Sequence, residues 1–170
     1  MKIAIISDTH DNLPNFKKAV DWIKEQGIET VIHCGDVACP ETLDYALADF
    51  SGQVFISLGN ADIGHGWEEC ATPPACRQAG GVAHFKGAGK IKIDGKNIGF
   101  CHFPERGKDL AKSGRYDLVF YGHTHKPWEQ EINGCRLVNP GNLAGILFKP
   151  TFAVFDIETN NLELKILQHL

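Results

Sequence analysis

Seven side chains able to hold a metal ion stand where apolar runs of this chain turn polar. Asp8 and His10 follow "KIAIIS", Asp36 closes "TVIHCGD", and Asn60 closes "QVFISLGN". His102 ends "GFCH", while His123 and His125 end "LVFYGHTH". Four imidazoles, two carboxylates and an amide suit divalent metals of borderline hardness and need no thiolate. A tetrahedral site takes four ligands, so seven fit two ions about 3.5–4 Å apart that share one carboxylate and a water. Such a centre is hydrolytic, and it divides His123 and His125 between the ions.

One histidine at a strand end is ordinarily hydrogen-bonded or solvent-facing, and an isolated Gly-Asp or Gly-Asn ordinarily marks a turn. The inference therefore rests on all seven together, each closing an apolar run. A serine or cysteine nucleophile is not indicated, because neither stands in a GxSxG-type elbow.

The elements must bring these run ends to one place. "KIAIIS" is a nearly continuous apolar run, as expected of a strand covered on both faces. A helix follows over 13–27, with Leu13, Phe16, Ala19, Val20 and Ile23 on one face and Gly27 as its stop. "TVIHCG" is the second strand, "PETLDYALADF" a helix opened by Pro40, and "QVFISLG" the third strand. Residues 63–89 read as an irregular excursion, with six glycines, a Pro-Pro pair and no clear period. "KIKIDGKNIGFCH" is a hairpin turning at Asp94-Gly95. "GKDLAKSGR" is a short helix, and "DLVFYG" and "CRLVNPG" are strands. The chain closes in a hairpin around Asn160-Asn161. Parallel βαβ units early and antiparallel hairpins later predict an α/β fold of two packed sheets with helices outside, one mixed sheet being the alternative. Carboxyl ends of strands in such folds line one edge, where binding residues collect.

At 170 residues the chain is read as one domain, 1–170. Its composition, 43% hydrophobic and 22% charged, is that of a soluble globular protein. A formal charge of −4 argues against a long nucleic-acid partner. No run approaches the ~18 apolar residues of a membrane span, and "MKIAIISD" turns polar too soon for a signal peptide. Six cysteines without CxxC spacing read as reduced thiols of a cytoplasmic protein. Cys70 and Cys76 are the pair for which a zinc knuckle or disulfide is the alternative. His33 and His84 read as structural, Trp22 as a packing residue, and Trp67 and Trp128 as candidate pocket walls. Whether the chain assembles as a homo-oligomer is not legible.

In order and spacing the sequence resembles the calcineurin-like metallophosphoesterases, in their small prokaryotic phosphodiesterase branch. The motifs are Asp8-Thr9-His10, Gly35-Asp36, Gly59-Asn60-Ala61-Asp62, His102 and Gly122-His123-Thr124-His125, with "NPGN" at 139–142. The resemblance covers nearly the whole chain. It implies a four-layer αββα sandwich of two mixed β-sheets flanked by helices. It also implies two divalent metal ions, manganese first among them, with Fe, Ni, Co or Zn also tolerated. Asp8, His10 and His125 would hold one ion, Asn60, His102 and His123 the other, and Asp36 would bridge them. A metal-bridging hydroxide would then attack a small phosphodiester substrate. A phosphomonoesterase, or a non-catalytic scaffold of the same fold, is the alternative. The scaffold is disfavoured because all seven ligands are present.

Two departures from the family pattern bear on the remaining site residues. Many relatives carry His after Gly-Asn, as donor to the leaving oxygen. Here Ala61 cannot donate a proton, which points to diesters or esters with acidic leaving groups. His65 is the candidate substitute acid, and Asp62 the candidate for orienting a ligand or water. In "CHFPERG", Phe103 replaces the usual glycine and narrows the pocket, and Arg106 is the candidate for gripping a phosphate.

Overall fold

The computed structural model describes residues 1–67 and 81–170. β1 (Lys2–Ile6), β2 (Thr30–His33), β3 (Gln53–Ser57) and β4 (Val82–Phe85) run parallel in one sheet. β10 (Thr151–Asp156) joins antiparallel at β1, and β11 (Asn161–Ile166) pairs with β10. The resulting order is β11-β10-β1-β2-β3-β4. The second sheet runs β5-β6-β7-β9-β8, built from Ala88–Ile93, Lys96–Cys101, Leu118–Phe120, Cys135–Asn139 and Trp128–Ile132 respectively. Its centre is parallel and its two edges are antiparallel.

Strand alternation sorts the apolar residues into three layers. Ile3 and Ile5 of β1 face Phe100, Leu118, Phe120 and Val138 between the sheets. Ala4 and Ile6 face the other way, onto Phe16, Ala19 and Val20 of α1 (Leu13–Glu25) and Leu43 of α2 (Pro40–Leu47). Val119 and Leu137 leave the far side of the second sheet and meet Leu110 and Ala111 of α3 (Pro104–Lys112). Helices, sheet, sheet, helix is the αββα sandwich of two mixed sheets, as expected.

Register sets the site. Ile6 pairs His33 and His33 pairs Ile56, so three loops leave the first sheet side by side. Phe100 pairs Phe120 in the second sheet, and the segments bearing His102 and His123 leave next to each other.

Some expectations needed revision. The excursion expected over 63–89 ends in two strands, β4 and the start of β5. β8 was not foreseen, because "WEQEI" is a half-exposed edge strand with little apolar alternation. α3 begins at Pro104 rather than Gly107, with proline in the first helical turn where no backbone donor is needed. Cys70 and Cys76 lie outside the described residues. Cys34, Cys39, Cys101 and Cys135 are free thiols.

Candidate metal centre

The loops that carry the donors are held in a backbone conformation few residues adopt. Asp8, His10, Asp36, His123 and His125 all have φ between 45° and 70°. Each such residue costs about 1–3 kcal/mol, so the surroundings must hold it there. They do so by hydrogen bonds between the loops. The amides of Asp8, Thr9, His10 and Asp11 donate to the carbonyls of Gly35, Asp36 and Val37. Glycine is required where loops touch. A Cβ on Gly59 would lie 2.3 Å from Asp36 Oδ1, and one on Gly122 would lie 2.0 Å from Ser7 Oγ.

Two clusters of donor atoms result. Asp8, His10 and His125 form the first, and Asp36, His102 and His123 the second. In the first, His10 Nε2 lies 3.2 Å from His125 Nε2, which lies 3.3 Å from Asp8 Oδ1. In the second, His102 Nε2 lies 3.1 Å from Asn60 Oδ1, 3.1 Å from His123 Nδ1 and 3.4 Å from Asp36 Oδ2. Asp36 Oδ2 is also 3.6 Å from His10 Nε2, so this oxygen stands between the clusters.

The chemistry of the donors tests whether metal fits. His102 Nδ1 donates to Cys34 O at 2.9 Å, which leaves Nε2 facing two side-chain oxygens and the ring nitrogen of His123. One proton on Nε2 can be shared with only one of them. Ligands about 2.0–2.2 Å from a common ion lie roughly 3.0–3.6 Å from each other. The distances above fall in that range, while His10 Nε2 and Asp8 Oδ1 are wider apart at 4.0 Å. The residues fit a divalent cation at each cluster.

The charge balance points the same way. Burial disfavours a charged His102, but contact with Asp36, helped by the charge of Asp8, outweighs it and raises its pKa. The Asp8 carboxylate raises that of His125 despite partial burial. Burial would raise Asp36, yet His102, the Ala61 amide and His10 hold it below the usual carboxylate range. Metal entering these clusters must displace protons, so its affinity falls on acidification.

The remaining candidates are placed unevenly. Asp62 is buried, its Oδ2 accepting from the amides of Asp36 (2.9 Å) and Gly59 (2.7 Å) and its Oδ1 from Ala38 (2.9 Å). It ties the loops bearing Asp36 and Asn60 together, and burial raises its pKa against those three donors. His65 is exposed, its Nδ1 3.5 Å from Cys39 Sγ, and no hydrogen bond or ion pair joins it to the seven donors among the described residues. Arg106 is exposed on the first turn of α3. The Phe103 ring packs 4.9 Å from the His102 ring and 5.0 Å from that of His123. Trp67 is buried and lines a cavity with Asp62 and Phe103. Trp128 lines a separate cleft on β8 with Leu162 and Leu164, away from the donors.

Several supports lie outside the donor motifs, among them His33, which the sequence reads as structural. His33 is fully buried, its Nδ1 accepting from Gly35 N and its Nε2 donating to Thr9 Oγ1 at 2.8 Å. Burial pushes its pKa down to about 3, so it is a neutral strut between two donor loops. Asn142 Nδ2 donates to His125 O, and its Oδ1 accepts from Gly145 and Ile146. Asn139 Nδ2 donates to Gly122 O and Thr124 Oγ1. "NPGN" is thus the clamp on "GHTH", and only its place in the family pattern hinted at that.

Known proteins bear on this arrangement. The family model for the calcineurin-like phosphoesterase superfamily domain matches residues 1–160. A phosphodiesterase of Methanocaldococcus jannaschii is 32% identical over 161 residues, covering 93% of this chain and 94% of that protein. A probable metallophosphoesterase of Methanothermobacter thermautotrophicus is 26% identical over 179 residues, 99% and 92% of the two chains. Among solved structures, an archaeal phosphodiesterase superposes with a TM-score of 0.86 at 30% identity, covering 98% and 99%. Vps29 of Entamoeba histolytica with zinc gives 0.67 at 22% identity, covering 96% and 90%, a likeness of fold alone. Two sheets whose strand ends gather this donor set, matched along nearly their whole length, place the chain in the calcineurin-like phosphoesterase superfamily.

Proposed function

We propose that the chain is a two-metal phosphodiesterase acting on small phosphodiesters. The observation that carries this reading is the crowding of potential ligand atoms around His102 Nε2, with Asp36 Oδ2 shared between both clusters. The relative named a phosphodiesterase supports the same chemistry. Asp8, His10 and His125 would hold the first ion and Asn60, His102 and His123 the second, with Asp36 common to both. When bound, two such cations supply the acidity that makes hydroxide from water near neutral pH and the charge that meets phosphoryl oxygens.

The chain's own residues do the rest. Ser7 Oγ and the His123 amide donate to Asp8, fixing its carboxylate before anything binds. The Cys34 carbonyl accepts from His102 Nδ1, which orients the ring so that Nε2 is the nitrogen facing the centre. Asp62 holds the loop amides that set the angle of Asp36. Arg106, exposed on the first turn of α3, is the candidate for gripping a phosphoryl oxygen, and His65 the candidate donor to the leaving oxygen. Ala61 offers no proton, which favours acidic leaving groups and diesters over alkyl monoesters. Manganese is the expected metal and the cytoplasm the expected compartment.

A metal-by-substrate matrix on chelated protein tests the proposal. Aryl phosphodiesters should be hydrolysed when manganese or a similar ion is restored, monoesters more slowly, and Asp36→Asn should abolish both. Activity on neither ester with any metal would leave a scaffold. Ala61→His should raise turnover of alkyl monoesters, and no gain would remove the leaving-group argument.

A further inference from the structure

Beside the second donor cluster lies a cavity of about 260 Å³ that the proposed reaction does not use. Among the described residues it is lined by Leu58, Ile63, Trp67 and Phe103, together with Asp62 and Lys86. The cavity is continuous with the centre on two counts. Phe103 is shared with it, because the same ring packs on His102 and His123. Asp62 is shared as well, through its bonds to the Asp36 and Gly59 amides. The walls hold their shape without a ligand. Trp67 is almost fully buried, and its Nε1 donates to Ala38 O at 2.6 Å. By contrast Ile63 is 75% exposed and Phe103 43%, two large apolar groups left open to water at the cavity's edge.

We propose, resting on the phosphodiesterase reading, that this cavity receives the ester group retained on phosphorus, and that it selects an aromatic one. Three observations favour that occupant. Flat apolar walls closed by an indole and a phenyl ring match a planar ring, which can stack or meet them edge-on. The volume is below that of pockets for whole drug-sized ligands, so it takes one ring system and not an entire dinucleotide. Lys86 has no hydrogen-bond or ion-pair partner among the described residues, so a free cation waits beside the path of an anionic diester. The leaving group is the wrong occupant. Its oxygen gains negative charge as the bond to phosphorus breaks, and burying that charge against Leu58, Ile63 and Trp67 is unfavourable. The retained ester stays neutral and can be buried throughout. The bond balance is that of plain hydrolysis: water adds to phosphorus, the leaving alkoxide or phenolate departs toward solvent, and the aryl monoester remains.

Two substrates with the same leaving group test this. Bis(4-nitrophenyl) phosphate and methyl 4-nitrophenyl phosphate both expel 4-nitrophenolate and differ only in the retained group. With manganese-loaded protein, kcat/KM should favour the bis-aryl ester by about tenfold or more, after division by their ratio in alkaline hydrolysis. Phe103→Ala should bring that preference down by about tenfold, whatever it does to overall turnover through its contacts with His102 and His123. Ile63→Asn should bring it down severalfold, with the methyl ester little changed. Ile63 is largely exposed, so its variant should fold even if Phe103→Ala does not. Calorimetry gives a readout free of turnover: diphenyl phosphate should bind more tightly than dimethyl phosphate, and Ile63→Asn should weaken only the former. Equal handling of the two esters, or variants that slow both alike, would overturn the cavity's role and leave the phosphodiesterase standing. Hydrolysis of neither ester would overturn the phosphodiesterase reading and this inference with it.

Discussion

The two donor clusters are built from the same residue types but are not held equally well. In the second, His102 is fully buried and its outer nitrogen is bonded to the Cys34 carbonyl, so the ring is fixed before any ion arrives. In the first, the side chains of His10 and His125 are 24% and 14% exposed. His125 Nδ1 is buried and makes no well-formed hydrogen bond among the described residues, although the Ile146 carbonyl is near enough to help raise its pKa. Asn142 clamps the backbone of that residue. Partners of the outer nitrogen fix a metal-binding imidazole and raise its basicity. His123 and Asn60 of the second cluster are themselves exposed, so the contrast rests on the imidazole support of His102. That support predicts a tighter second position and a first position that exchanges more readily. Both would share Asp36, so each ion would stabilise the other.

The largest break in this comparison is His102→Ala. It removes the fixed ring of the second cluster, and diester turnover should fall by about 10²–10³-fold or more, with metal content dropping in parallel. Next comes Asp62→Ala, which leaves three buried amides without their acceptor. A loss of about 3 kcal/mol in urea unfolding is expected, with weaker metal binding at the second position. Unchanged stability would mean that Asp62 does not tie the loops. Asn142→Ala should act on the other side of the comparison, weakening metal at the first position by about 10–100-fold while sparing the second. Loss at both positions alike would erase the asymmetry.

The smallest effect concerns pH. His33 has its pKa lowered to about 3 in the folded chain from 6.5, so the unfolded state takes up the proton first as pH falls. Stability should thus drop on acidification through the window between those values, by about 1.4 kcal/mol for each pH unit well below 6.5. His33→Gln, which keeps a donor and an acceptor, should flatten that slope in urea unfolding between pH 7 and 4. An unchanged slope would assign the acid sensitivity to other groups.

The same contrast explains what could be read from the sequence. Asp8, His10, Asp36, Asn60, His102, His123 and His125 announce themselves because each ends an apolar run, and burial of those runs is what fixes the layers. Helices α1 and α2 were visible for the same reason, since Phe16, Ala19 and Val20 or Leu43 and Leu47 repeat at helical spacing. β8 was invisible because Trp128, Glu129 and Glu131 are exposed and the strand is paired on one side only. The supports were harder still. Asn142 and His125 lie 17 residues apart, and Thr9 and His33 lie 24 apart. A side chain that holds a distant backbone leaves no local pattern. The cavity beside Phe103 was half legible, in that Phe103 and Trp67 were expected near the pocket, whereas the contributions of Leu58 and Ile63 depend on the loop after β3.

The central claim is that these loops gather two cations. Crystals soaked with manganese and measured at its absorption edge test it directly. The account predicts two anomalous peaks flanking Asp36 Oδ2, one against Asp8, His10 and His125, the other against Asn60, His102 and His123, with the latter the fuller at low metal. No peak between these side chains, or manganese bound elsewhere on the molecule, would contradict it.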